Sequence, residues 1–302
     1  MPAEPVDRFL ERALYGPEGF FTKGGGAGRR ADFLTSPEVG PLFGAVVARA
    51  VADAPIVVEI GAGRGTLARS VRAAGYEGRW ICVERSAALR AEATAAGLEV
   101  ATEPPDEAGM TVANELLDNL PFRLAERTAG GWAEVLVPDG LGDPVDVELD
   151  APVGARIPLQ ERATAWVAEA RQRGPVLAFD YADTTASLAR RPWRDWVRTY
   201  RGHARGGHPF EAPGTQDVTC EVAVDQLPAP ARDGSQAEWL AAWGIDELVD
   251  EGRRVWAARA HLGDLEAVRA RSRVTEAAAL TDPAGLGAFR VLEWERSGAN
   301  VR

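Results

Sequence analysis

The stretch VVEIGAGRGTLARS, residues 57–70, sets Gly61, Gly63 and Gly65 directly behind an apolar run. A buried strand that turns on three closely spaced glycines into a helix must either close a tight corner or let backbone approach a bulky ligand, because glycine lacks the Cβ that would block it. Two phosphate motifs are not met. The dinucleotide fingerprint needs a third glycine three positions after the second, where Thr66 stands. The phosphate loop of nucleotide triphosphatases ends in Gly-Lys-Ser/Thr, and Arg64-Gly65-Thr66 lacks both the lysine and the spacing. What the stretch keeps is Glu59 near the strand end and Glu84 at the end of the next strand. A carboxylate there suits paired hydroxyl donors, at the edge of the sheet where ligands of open α/β folds bind.

The pattern around this corner is that of an α/β chain. PIVVEI reads as a buried parallel strand, GTLARSVRAAG as a helix closed by Gly75, RWICVE as a second strand and SAALRAEATAAG as a second helix. GMTVANELLDNLP continues as a strand entering a short helix, and FRLAERTAGGWAEVLVPDG as a hairpin turning at Gly130 and Gly131. A helix over QERATAWVAEARQRG leads to another buried strand, PVLAFDY. Right-handed crossovers make such a series a largely parallel, twisted sheet with helices on both faces. Upstream, Phe9, Leu10, Ala13 and Leu14 form a short amphipathic pattern. Ser36 as cap, Pro37 at the first helical position and Glu38 in the first turn predict a helix running through Phe43 and Val47. Residues 183–235 lack clean periodicity, as a functional lid or insertion does. Helices return over QAEWLAAWGIDELV and RRVWAARAHLGDLEAVRARS, followed by a late strand, AFRVLEWE. The expected units are an N-terminal helical, cofactor-covering segment 1–54, a core 55–182, an inserted lid or substrate region 183–254, and a C-terminal helix and strand 255–302 completing the core.

Composition narrows the function classes. The 302 residues carry a formal net charge of −11 with a pI near 5.0, which argues against nucleic acid and anionic membrane and steers a cationic partner towards the chain. Cys82 and Cys220 are two thiols only, with no disulfide framework or zinc spacing, so a reducing cytoplasm fits. The first residues have neither the apolar core of a signal peptide nor the composition of an Arg-rich transit peptide, and no apolar run is long enough to span a membrane. His203, His208 and Glu211 have poor ligand spacing, so no metal is expected. Oligomeric state is open, a homodimer included.

With ADFLTSPEVGPLFG and EIGAGRGTLA, and further with ALYGPEGFF, ANELLDNLP, GWAEVLV, FDY, YRGH, APGTQDVT and LAAWGID in family order, the sequence resembles the MidA family of class I methyltransferases. That family includes the mitochondrial complex I assembly methyltransferase. The resemblance implies an α/β, Rossmann-like sheet that binds S-adenosyl-L-methionine, an N-terminal helical and loop segment, an inserted lid, and, where the activity is assigned, methylation of arginine nitrogen in a partner protein. It implies that Gly61, Ala62 and Gly63 approach the methionine part of the cofactor beside Glu59, that Glu84, with Arg85 next to it, takes the ribose hydroxyls, and that Thr35 and Ser36 belong to a loop covering it. The chain departs from the family at Ala31, where a glycine usually precedes Asp32-Phe33, and at Ala223, where relatives carry aspartate.

Asn114 and Glu115 emerge where the fourth strand would end beside the transferred methyl. Arginine stays protonated in proteins, so its methylation requires groups that hold the guanidinium and accept a proton. Glu115 is the first candidate and Asp118, one turn on, the second. The plainer reading makes Asn114 a helix cap with both acids facing the helix's positive end. Asp180 and Tyr181 follow a buried strand at its carboxyl end and, with Arg201 and His208, are candidates for substrate contact. The leading expectation is an arginine-directed protein methyltransferase. The alternatives are methylation of a small molecule, a non-catalytic cofactor-binding assembly factor and, least favoured, a nicotinamide dehydrogenase.

Overall fold

The computed structural model describes residues 3–25, 35–106, 108–138, 140–202 and 204–298. Its centre is a seven-stranded sheet: β1 (Ile56–Ile60), β2 (Arg79–Val83), β3 (Glu99–Ala101), β4 (Met110–Asn114), β5 (Val176–Asp180), β6 (Arg232–Ser235) and β7 (Arg290–Trp294), in the spatial order β6-β7-β5-β4-β1-β2-β3. The strands β5, β4, β1, β2 and β3 run parallel, while β7 lies antiparallel to β5 and β6 antiparallel to β7. Continuous apolar runs explain the parallel part, since strands covered on both faces have no solvated side to alternate towards. All five residues of β5 are buried. The chain steps from β1 outward to β3 and then returns to β4 on the other side of β1, which leaves a crevice at the carboxyl ends of β1 and β4.

Helices Pro41–Ala50, Thr66–Ala73, Gln236–Ala242, Ile245–Arg259 and Leu265–Leu280 contribute Phe43, Val47, Leu67, Val71, Trp239, Leu248 and Leu280 to one core against the sheet. Helix Glu161–Arg173 packs Ala163, Val167 and Ala170 into a second, with Ala178, Leu292 and Trp294. A smaller antiparallel sheet joins Glu4–Pro5, Gly131–Val137, Arg123–Thr128 and Arg156–Leu159, with Gly140–Val145 pairing alongside Gly131–Val137. Its hairpin turns where expected, Thr128 pairing with Gly131. Phe9, Leu10 and Leu14 of the N-terminal segment pack into the core of this smaller sheet, together with Trp196, Phe210 and Val218.

Several boundaries differ from the sequence expectation. Ser36 is no cap: its buried hydroxyl donates to Gln236 (2.9 Å), and Thr35 occupies the cap position without a side-chain bond. The helix expected through Val47 is broken at Gly40 into Ser36–Val39 and Pro41–Ala50. A Cβ at Gly40 would lie 2.2 Å from the Glu276 carboxyl carbon, and that carboxylate instead accepts from the Leu42 amide (2.9 Å). The two late helical runs are also interrupted. Gly244, whose carbonyl accepts from Arg49 (2.8 Å), ends the first piece, and Asp264 restarts the last by accepting from the Ala267 amide (2.9 Å). Within 183–235, Val197–Arg201, Ala204–Arg205 and Asp217–Cys220 form a three-stranded antiparallel sheet, and Ala182–Asp183 pairs with Val222–Ala223. These strands are too short, and too rich in arginine, to show a period.

Candidate functional site

A cleft of about 430 Å³ opens at the carboxyl ends of β1, β2 and β4. The turn after β1 shapes its floor. Gly61, Gly63 and Gly65 have φ of 71°, 55° and 72°, backbone that L side chains rarely adopt. Gly65 is also confined, because a Cβ there would meet Leu98 Cδ1 at 2.1 Å. Gly63 is the opposite case: a Cβ would meet nothing within 4 Å, so the space above this residue is open cleft. Its amide donates to Glu84 (2.9 Å), whose other carboxylate oxygen accepts from the Ser86 amide (2.7 Å). Two backbone amides thus orient the Glu84 carboxylate at the rim.

Of the residues expected to bind cofactor, Thr35, Glu59, Gly61, Ala62, Gly63, Glu84, Arg85 and Asn114 line this cleft; Ser36 lies behind it, spent on Gln236. The Asn114 side-chain oxygen is buried with no hydrogen-bond partner among the described residues. An orphaned acceptor of this kind calls for a donor from a ligand. An oriented carboxylate, an open glycine turn, an unmatched acceptor and apolar Leu89, Leu116 and Leu120 together form a donor and surface set that fits a nucleoside bearing hydroxyl and ammonium groups.

The acceptor candidates separate. Glu115 lines the cleft next to Asn114, which donates to it (3.3 Å). It has a φ of 51°, a strained setting of the kind that gathers at functional sites. Burial pushes its carboxyl well above the ordinary range, and the nearby Asp118 adds to this. Asp118 itself does not line the cleft; it is buried near Asp180 and Asp217, and burial first, then Asp180, raises its carboxyl too. Nor is Asn114 a helix cap. That role falls to Asp180, which accepts from the amides of Leu117 (2.8 Å), Asp118 (3.3 Å) and Tyr181 (3.0 Å) and so pins the turn that carries Glu115.

Asp180, Tyr181, Arg201 and His208 all lie outside the cleft lining. Tyr181 packs on Phe289, with ring centroids 3.8 Å apart. Arg201 is exposed and donates to the Thr215 carbonyl (3.0 Å). His208 stands by Trp193 and Phe210, and Ala223 is buried with its amide on Gln160 (2.6 Å). His203 and Ala31 fall outside the described residues.

In their place the cleft gains residues that sequence reasoning had not assigned. Tyr15 and Phe21 come from the N-terminal segment, Thr102–Pro104 follow β3, and Trp166, Glu169 and Arg173 come from helix Glu161–Arg173. Tyr15 is stacked on Phe21, lies under the Arg85 guanidinium at 4.4 Å and donates to the Asn119 carbonyl (3.1 Å). The strand-end rule that located Glu84 applies equally to Thr102–Pro104. Tyr15 and Phe21 fall in the ALYGPEGFF stretch and in the segment expected to cover the cofactor, but no sequence signal marks Trp166, Glu169 and Arg173.

Glu59 supplies a pH test. Burial raises its carboxyl to about 8 from an ordinary 4.5, against the pull of the Trp80 indole that donates to it (2.8 Å). Between those two values the folded protein keeps a proton that the unfolded chain releases, so this contribution is full below the ordinary value and lost as pH rises through about 8. Glutamine at this position keeps an acceptor for the indole and has no charge to bury. The difference in unfolding free energy between Glu59→Gln and wild type, measured by denaturant titration, should therefore grow in the variant's favour from about pH 5 to about pH 8, by a few kcal/mol at most. A difference independent of pH would show that Glu59 does not hold its proton.

Comparison with known proteins agrees with this geometry. Residues 46–156 match the profile of a family of S-adenosyl-L-methionine-dependent methyltransferases. The mitochondrial protein arginine methyltransferase NDUFAF7 of Danio rerio is 25% identical over 323 residues, covering 80% of this chain and 73% of its own. A COG1565 superfamily member from Burkholderia thailandensis bound to S-adenosyl-homocysteine superposes with a TM-score of 0.80 at 27% identity, over 97% of this chain and 88% of that one. A native crystal structure of a COG1565 protein from the same organism gives 0.77 at 26% identity, over 97% and 87%. The α/β fold and the cleft define an S-adenosylmethionine-dependent methyltransferase, and S-adenosylmethionine is its cofactor. Within that class the chain is kin to the COG1565 proteins and NDUFAF7, as the resemblance carried by its motifs implied.

Proposed function

We propose that the protein transfers a methyl group to a guanidinium nitrogen of arginine in a partner protein. The observation that carries this reading is Glu115, a half-buried carboxylate held in left-handed backbone just past the end of β4, inside the cleft and beside the unmatched oxygen of Asn114. When bound, S-adenosylmethionine supplies an electrophilic methyl group on its sulfonium. Glu84 would receive its ribose hydroxyls, and the glycine turn with Asn114 its methionine part. Glu115 would pair with the arriving guanidinium, whose charge draws it into the ionised form. As the new N–C bond forms and the S–C bond breaks, the nitrogen sheds a proton, and Glu115, made more basic by burial, takes it.

Further support comes from charge. Glu38, Glu84, Glu103 and Glu169 line the cleft with Arg64, Arg85 and Arg173, beside Glu59 and Glu115, whose carboxyls burial raises, and the whole chain is acidic, as suits a cationic substrate. NDUFAF7, the relative described above, is a protein arginine methyltransferase. We read the part of the inserted region that precedes β6, residues 183–231, as the substrate side, since Asn119, which lines the cleft, donates to Asp217 (3.0 Å) within it.

The deciding experiment incubates the purified protein with methyl-tritiated cofactor and cell extract, then hydrolyses the labelled protein fraction to amino acids. Label in methylarginine is the expected result. Label confined to small molecules would replace this reading with metabolite methylation, and no label anywhere, with cofactor binding intact, would favour an assembly factor.

A further inference from the structure

Away from the cleft, residues Val145 to Ala151 read VDVELDA, an apolar and acidic alternation. Val145, Val147, Leu149 and Ala151 pack against the core of Ala125, Trp132, Ile157 and Ala189, which turns Asp146, Glu148 and Asp150 outward, all three exposed. Strand Gly140–Val145 follows its neighbour as far as the pair Val145 and Trp132. Beyond it, residues 146–150 belong to no strand pair among the described residues, and the Trp132 indole anchors the run through the Leu149 carbonyl (3.0 Å). Beside this segment opens a second cavity, of about 330 Å³, bordered by Asp146, Glu148, Ile157, Leu159, Thr185 and Asp225. Asp225 is fixed on the far wall, accepting from the Thr185 amide (2.8 Å) and hydroxyl (2.9 Å).

We infer that residues 146–150 are a docking edge for an extended, cationic segment of a partner protein. An extended backbone without a ladder partner is a template for adding a strand, with main-chain bonds giving affinity and alternate side chains giving specificity. Same-face side chains of an extended chain repeat about every 6.6–6.8 Å, so the acids at 146, 148 and 150 step in register with every second residue of an added strand. Arginine or lysine at those positions pairs across to each carboxylate. The charge selects the occupant. Residues 140–155 contain Asp143, Asp146, Glu148 and Asp150 and no lysine or arginine, so a second copy of this acidic chain is repelled where a basic peptide is drawn in. The edge is distinct from the methyl-transfer cleft and can fail independently of the arginine reading, because it is tested by binding without cofactor.

The probe is a short fluorescein-labelled peptide with arginine at alternate positions, measured by anisotropy against an isomer of the same composition with its arginines in one block. The alternating peptide should bind about tenfold or more tightly than the block isomer, and more weakly as salt rises. The triple variant D146N/E148Q/D150N should lose about tenfold in affinity, while D53N/E77Q/D250N, which neutralises exposed acids elsewhere, should not. Methylating alternate backbone amides of the peptide should weaken binding further, as strand addition requires. Equal binding of both isomers, indifference to the triple variant, or indifference to amide methylation would each overturn the docking edge. So would a triple variant whose only change is its oligomeric state, which would give this surface to a second copy.

Discussion

Glutamine in place of Glu115 is expected to lower kcat by about a hundredfold to ten-thousandfold, the range for loss of a positioned proton acceptor, while cofactor affinity stays within about threefold. The substitution is nearly isosteric and keeps the contact with Asn114, so the turn pinned by Asp180 should survive. What disappears is basicity. Burial, and next the charge of Asp118, hold the Glu115 carboxyl above the ordinary range, so the free protein carries it protonated at pH values where an exposed glutamate has ionised. Activity needs the ionised form. In wild type, kcat/KM should consequently climb with pH across a window above the usual carboxylate range, and in Glu115→Gln that limb should be gone. A variant with unchanged kcat and an unchanged profile would remove Glu115 from the chemistry and leave it a strained structural residue.

How much of this could be read from the chain follows from which rule places each residue. Glu59, Gly61, Gly63, Glu84, Asn114 and Glu115 lie at or just beyond parallel strand ends, where topology alone brings side chains together, and the structure brings these six into one cleft. The same rule overreached at Asp180: it too ends a parallel strand, yet its carboxylate turns to three backbone amides. Sequence gives the position of a carboxylate but not which nearby donors lack a partner. Tyr15 and Phe21 lie in the ALYGPEGFF stretch of the segment expected to cover the cofactor, but their own place in the cleft is not legible there, for another reason. Their segment shows an amphipathic face, which says that the face is buried and not against what, and it is the smaller sheet that carries Tyr15 to the cleft. The helix breaks at Gly40 and Gly244 were hidden likewise, because each depends on a distant partner, Glu276 or Arg49.

Removal of the Glu84 side chain, by Glu84→Ala, should weaken S-adenosylmethionine binding by about a hundredfold to ten-thousandfold. The carboxylate is fixed by the amides of Gly63 and Ser86 and faces the open space above the glycine turn, so its remaining lone pairs are placed for two hydroxyl donors. Hydrogen bonds to a charged group contribute about 1.5–3 kcal/mol each, and about 1.4 kcal/mol is tenfold in Kd. Alanine also frees the two amides, which loosens the turn and should lower Tm by several degrees. Glu84→Gln is the milder variant. The glutamine oxygen can still accept from one backbone amide and one hydroxyl, while its NH2 meets the other amide donor to donor, so this variant should recover only part of the Tm and part of the affinity. Calorimetric titration with S-adenosylmethionine reads the outcome directly. Full affinity in Glu84→Gln would mean that the carboxylate serves the glycine turn alone and that the ribose is held elsewhere in the cleft. Affinity between those of wild type and Glu84→Ala would assign the hydroxyl contacts to Glu84 itself.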